Sequence, residues 1–128
     1  MCLLGIGVLA SSQEAQAQQP ANQQAFEDFQ TAEARLDSVY HSILQAYRGD
    51  QQFIQKLRQS QEAWRAYRDA EVAMKYPPRA AIDGGSAPSH CRYRFLADLI
   101  WTRISSLKTW LRGMPADDDC RGSVRARK

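Results

Sequence analysis

With 128 residues, 44% of them hydrophobic and 24% charged, the chain has material for one small domain with one modest core. That leaves no room for a second, catalytic domain. A formal net charge of +3 lacks the density of a dedicated nucleic-acid binder, so no nucleic-acid partner is expected.

Residues 2–10, Cys-Leu-Leu-Gly-Ile-Gly-Val-Leu-Ala, form an apolar run followed by Ala15-Gln16-Ala17, the pattern of a secretory signal peptide (residues 1–17) cut after Ala17. No Lys or Arg precedes the run, and it is too short to cross a bilayer as a helix. Cys2 opens the run instead of closing it, which argues against a lipid-modified cysteine. Glu14 is the sole charge in residues 1–17, so cleavage would leave a net charge of +4. Export to the periplasm or the extracellular space would leave Cys91 and Cys120 as an even pair in oxidising surroundings. A disulfide between them is expected, with two free buried thiols as the other outcome. In the chain-entropy model such a loop closure stabilises by about 3.5 kcal/mol. His41 and His90 are isolated, with no ligand spacing around them, so neither a metal site nor a cofactor is expected.

Residues 18–25, Gln-Gln-Pro-Ala-Asn-Gln-Gln-Ala, have little to bury and read as a flexible leader. The helical domain is expected over residues 26–112. In its first helix Phe29, Ala32, Leu36, Val39, Ile43 and Ala46 recur at 3-4-3-4-3 spacing, which predicts a helix from about 22 to 47. Gly49-Asp50 supplies a stop and then an N-cap, so the next helix, about 51 to 75, folds back antiparallel. Phe53, Leu57, Ser60, Trp64, Tyr67, Glu71 and Met74 make its expected seam, with Ile54, Gln61 and Arg68 on the flank. Pro77-Pro78 ends it.

A Pro- and Gly-rich connection follows over residues 77–89, with Gly84-Gly85-Ser86 at its centre. It lacks the glycine-lysine pattern of a phosphate-binding loop, and its paired glycines suit a close backbone approach. The third helix is expected from about Ser89 to Leu111, its inner side carrying Cys91, Phe95, Leu96, Leu99, Ile100, Arg103, Leu107 and Trp110. Gly113 and Pro115 terminate it, and residues 113–128 read as a turn and a solvated basic tail. The expected Cys91–Cys120 bridge would be taut. The seven residues after Gly113 reach at most about 25 Å, whereas the helix they must retrace is about 30 Å long. The fold class is therefore all-α, a small antiparallel bundle of three main helices with a long Pro/Gly loop before the third and an expected disulfide.

The odd chemistry sits in helix two. Leu57, Gln61, Trp64 and Arg68 share one face, so an amide, an indole and a guanidinium stand where a plain bundle would place Leu or Ile. Gln61, Trp64, Tyr67, Arg68 and Asp69, with Arg103 from helix three, are the candidate polar network or binding residues, and Gly84, Gly85 and Ser86 the candidate loop. Neither the histidines nor the carboxylates form a catalytic constellation, so the chain is expected not to be an enzyme.

The block Leu57-Arg58-Gln59-Ser60-Gln61-Glu62-Ala63-Trp64-Arg65-Ala66-Tyr67-Arg68-Asp69, together with Leu36-Asp37-Ser38-Val39-Tyr40, Gly84-Gly85-Ser86, Cys91, Arg103 and Leu107, resembles the LprI-type lysozyme-inhibitor family over residues 26 to 112. Where many members carry a further cysteine, this chain has Glu71-Val72. The resemblance implies a small, helical, exported, disulfide-bearing envelope protein, and for the founding member inhibition of lysozyme. The function expected is an exported binding protein whose partner is lysozyme or another cell-wall hydrolase. The alternative is a structural or accessory envelope protein with an unknown protein partner.

Overall fold

The computed structural model describes residues 9–77 and 88–128. They form three helices, α1 (Leu9–Ala46), α2 (Gln51–Lys75) and α3 (Ser89–Arg112), followed by a folded C-terminal segment. The middle helix runs against the other two. Asn22, inside the N-terminal half of α1, meets His90 at the start of α3, and Tyr47, just past the end of α1, meets Trp110 near the end of α3, so those two run parallel. None of the described helices is long and apolar enough to cross a membrane.

The first helix starts well before the expected residue 22. Residues 18–25, expected as a flexible leader, are helical: Gln and Ala are good helix formers, and Pro20 removes only one ladder donor. This stretch also packs. Ala25 is buried, and the Asn22 side chain accepts the His90 backbone N–H at 3.0 Å. Pro88 offers no side-chain cap to α3, so Asn22 supplies from α1 one of the partners that the helix start lacks.

Ala32, Leu36, Val39, Ile43 and Tyr47 from α1 and Ala97, Ile100, Ile104 and Leu107 from α3 make most of the core. Small residues explain the closeness of this pair, since Ala32 and Ala97 are both buried where the two helices meet. By contrast, α2 stands further off, spaced by Phe53, Trp64 and other large side chains. Its start is as expected: Asp50 caps it, accepting the Phe53 N–H at 3.0 Å.

The buried stripe of α2 is Ile54, Leu57 and Gln61, continued by the half-buried Arg68 and Val72, and it is rotated from the expected seam toward the expected flank. Tyr67 and Met74 consequently face outward, 54% and 70% exposed, and Ser60 is an exposed residue at the edge nearest Arg103 of α3. The rotation is stable because the buried Gln61 amide is met by Arg103 of α3, while Arg68 reaches partners at the rim, Glu33 and Asp69.

The C-terminal segment is not a solvated tail. Gly113, at φ +74°, turns the chain out of α3; the Met114 N–H then donates to the Arg125 carbonyl at 3.1 Å and the Arg127 N–H to the Met114 carbonyl at 2.7 Å, closing residues 115–124 into a loop. Val124 is buried, the Tyr47 hydroxyl donates to the Trp110 carbonyl at 3.0 Å, and the same oxygen accepts the Arg125 N–H at 3.1 Å. Of the tail's cations, Arg121 donates to the Val124 carbonyl, Arg125 to that of Ala46 and lies 4.2 Å over the Tyr47 ring, and Arg127 to that of Gly113.

This docking corrects the expected disulfide, for Cys91 and Cys120 are free thiols. Cys91 sits in the first turn of α3, whereas Cys120 belongs to the loop that closes the opposite end. Roughly 30 Å of helix separates the two ends, and a bridge needs Cα atoms within about 7 Å. The tail runs across the bundle end instead of back along α3.

Candidate functional site

The site grows from the helix-two face. Leu57 and Gln61 are buried, Gln61 at 5% exposure, and Trp64 and Arg68 continue the same face half-buried. A buried primary amide is costly without partners, since its desolvation is not repaid. Here the partner is Arg103 of α3, whose Nε–H donates to Gln61 Oε1 at 3.1 Å while Nη2 donates to Ser60 Oγ at 3.0 Å. Among the described residues no carboxylate pairs with Arg103, so neutral oxygens alone hold its guanidinium. Burial pushes its pKa below the ordinary arginine value.

Two turns beyond Gln61 along α2, Arg68 does have acidic partners. Its Nη1 donates to Glu33 Oε1 of α1 at 3.2 Å and its Nε to Asp69 Oδ1 at 3.1 Å, while the guanidinium lies 5.4 Å from the Trp64 ring centre. Glu33 is 43% exposed and Asp69 68%, so solvent screens both pairs. Together they tie α2 to α1 more by geometry than by energy.

Beyond Trp64 the separation of α2 from α1 and α3 opens a wedge of about 470 Å³, floored by Phe29, Val72 and Leu96 and rimmed by Arg68, Tyr76 and Arg92. The Arg92 guanidinium stacks 5.7 Å from the Tyr76 ring centre, and the Tyr76 hydroxyl donates to the Cys91 carbonyl at 3.3 Å. Beside it, sharing Glu33 and Arg68 in its lining, is a smaller polar recess of about 70 Å³ that reaches Gln61 and Trp64.

A family model described as "Lysozyme inhibitor LprI" matches residues 10–107. The chain belongs to the LprI lysozyme-inhibitor family. No curated protein and no solved structure matches it. Within the LprI-matched stretch the structure brings together Gln61, Trp64, Arg68 and Arg103, with Asp69 at the rim. Tyr67 stands apart on the outer surface of α2. Gly84, Gly85 and Ser86 lie outside the described residues, and Cys120 lies beyond the LprI match.

Two members of the cluster were missed in the sequence. Glu33 sits between core positions of α1 and has no local signal, because its partner is 35 residues away. Ser60 was read as a seam residue; as the hydroxyl one position before Gln61 it instead supplies the second acceptor for Arg103.

Proposed function

We propose that this LprI-family chain is an exported, non-enzymatic helical binding protein that inhibits a lysozyme or another cell-wall hydrolase. The family match over residues 10–107 carries the reading. The apolar run at residues 2–10 and the Ala15-Gln16-Ala17 triplet support export. For the contact surface, the support is the outer face of α2, where Ala63, Tyr67, Ala70 and Met74 recur at helical spacing and are exposed. An aromatic ring and a methionine among alanines are the residue types that anchor protein interfaces. Gln61 and Arg103 lie behind this face and hold it in position relative to α3.

The test is a muramidase lysis assay titrated with the protein, alongside the Tyr67→Ala and Met74→Ala variants. Both side chains are exposed, so folding should survive their loss. Inhibition that weakens by about 30-fold in Tyr67→Ala supports the reading, the size of a ~2 kcal/mol interface anchor. No inhibition by the intact protein refutes it.

The net charge of +4 left once residues 1–17 are removed favours a second reading, because a strongly basic hydrolase would be repelled at long range. In that reading the same face docks an acidic envelope protein and the chain is an accessory component. Capture of such a partner, lost on Tyr67→Ala and accompanied by unaffected lysis, would establish it.

A further inference from the structure

On the side of the α1–α3 pair away from α2 lies a groove of about 290 Å³, lined by Asp28 and Thr31 of α1 and by Arg94, Ala97, Asp98 and Trp101 of α3. Its origin is the small-residue contact of the two helices. Buried Ala97 has no bulk to fill the dent, and Trp101, one turn along, stands as its wall. The indole is 42% exposed, and among the described residues its Nε1–H has no hydrogen-bond partner, whereas that of Trp110 donates to Ser123.

The rim is mixed in sign. Asp28 is steadied by the Gln24 amide at 3.0 Å, and Arg94 and Asp98 sit one helical turn apart. None of the three forms an ion pair among the described residues, and apart from the Asp28 oxygen that accepts from Gln24 their hydrogen-bonding groups remain available. Two carboxylates disfavour an anion and the guanidinium disfavours a cation. What suits an apolar ring face beside both donors and acceptors is a neutral polyhydroxylated ring.

We infer that this groove is a saccharide-binding site. The C–H face of a pyranose stacks on the Trp101 indole, its hydroxyls donate to Asp28 and Asp98, and its oxygens accept from Arg94. The volume fits one sugar ring, so the site holds a single unit of a glycan chain and its affinity is weak. The groove lies across the bundle from the α2 face, and saccharide binding does not depend on hydrolase inhibition.

The experiment is titration of the full-length protein with two probes, an N-acetylglucosamine tetramer and a glucose tetramer, followed by the three indole N–H resonances in NMR. The expected result is saturable movement of the Trp101 signal with either probe, with Trp64 and Trp110 unmoved, and affinity about tenfold weaker in Trp101→Ala. Asp98→Asn, which keeps the shape of the groove, should weaken binding severalfold. The site is overturned if neither sugar binds at millimolar concentration, if the moving signal is Trp64 or Trp110, or if Trp101→Ala and Asp98→Asn bind as tightly as the parent.

Discussion

The pairing of Gln61 with Arg103 sets up a double-mutant cycle with a definite sign. Gln61→Leu removes the acceptor of the Arg103 Nε–H, a hydrogen bond to a charged group worth about 1.5–3 kcal/mol. The leucine recovers part of that loss by burying apolar surface at a site only 5% exposed, leaving a net destabilisation of about 1–2 kcal/mol. Arg103→Met keeps an apolar stem against α2 but strands a buried amide oxygen, at about 1–3 kcal/mol. With both changes together the stranded groups disappear, and the double variant should come within about 1 kcal/mol of the parent. Urea unfolding followed by helix circular dichroism measures all four corners, and an unchanged slope shows that the folded state is the same. A coupling of about 2 kcal/mol is expected. Single variants each within about 0.5 kcal/mol of the parent, or costs that simply add in the double, would refute the claim that Gln61 and Arg103 form one buried unit.

Four further outcomes follow from the geometry. Tyr47→Phe loses a hydroxyl that both donates to Trp110 and accepts from Arg125, so it should cost about 1–2 kcal/mol and speed tryptic cleavage at Arg121, Arg125 and Arg127 relative to sites in α1 and α3. Gly113→Ala places a Cβ about 3.0 Å from the Arg125 carbonyl at a positive φ, and thermal unfolding should show a loss of about 1–3 kcal/mol. Glu33→Gln should change stability by less than about 1 kcal/mol, because Glu33 is 43% exposed, and the small effect should shrink further in high salt. Both Cys91 and Cys120 should titrate with a thiol reagent in the native protein, the exposed Cys120 faster; a peptide joining the two in mass spectrometry of the unreduced protein would contradict the fold of the C-terminal segment.

Much of the architecture was readable from local chemistry. Asp50, Pro77 and Gly113 mark helix ends by capping, lost donors and positive φ, and the predicted bounds of α2 and α3 agree with the structure to within a residue. The start of α1 was not, because residues 18–25 carry too few apolar side chains for a periodicity to show, and their docking rests on single contacts such as Asn22 to His90. The register of α2 failed for a related reason. Apolar spacing favoured Ser60, Tyr67 and Met74, but burying Gln61 and Arg68 becomes affordable only with partners 42 and 35 residues away. Cysteine parity argued for a bridge that the path of the tail rules out, and that path is set by backbone hydrogen bonds and one buried Val124, neither of which leaves a sequence pattern. At the candidate site the face shared by Gln61, Trp64 and Arg68 was legible from spacing alone, whereas which of its neighbours face inward required the fold.

We propose that this LprI-family chain inhibits a cell-wall hydrolase through the outer face of α2. The most direct test is a titration of muramidase activity on purified cell wall with the parent protein and Tyr67→Ala, each checked for identical helix content. Saturable inhibition by the parent, weakened about 30-fold in the variant, is the expected result. Full muramidase activity at every concentration of the parent, or equal inhibition by both proteins, would contradict it.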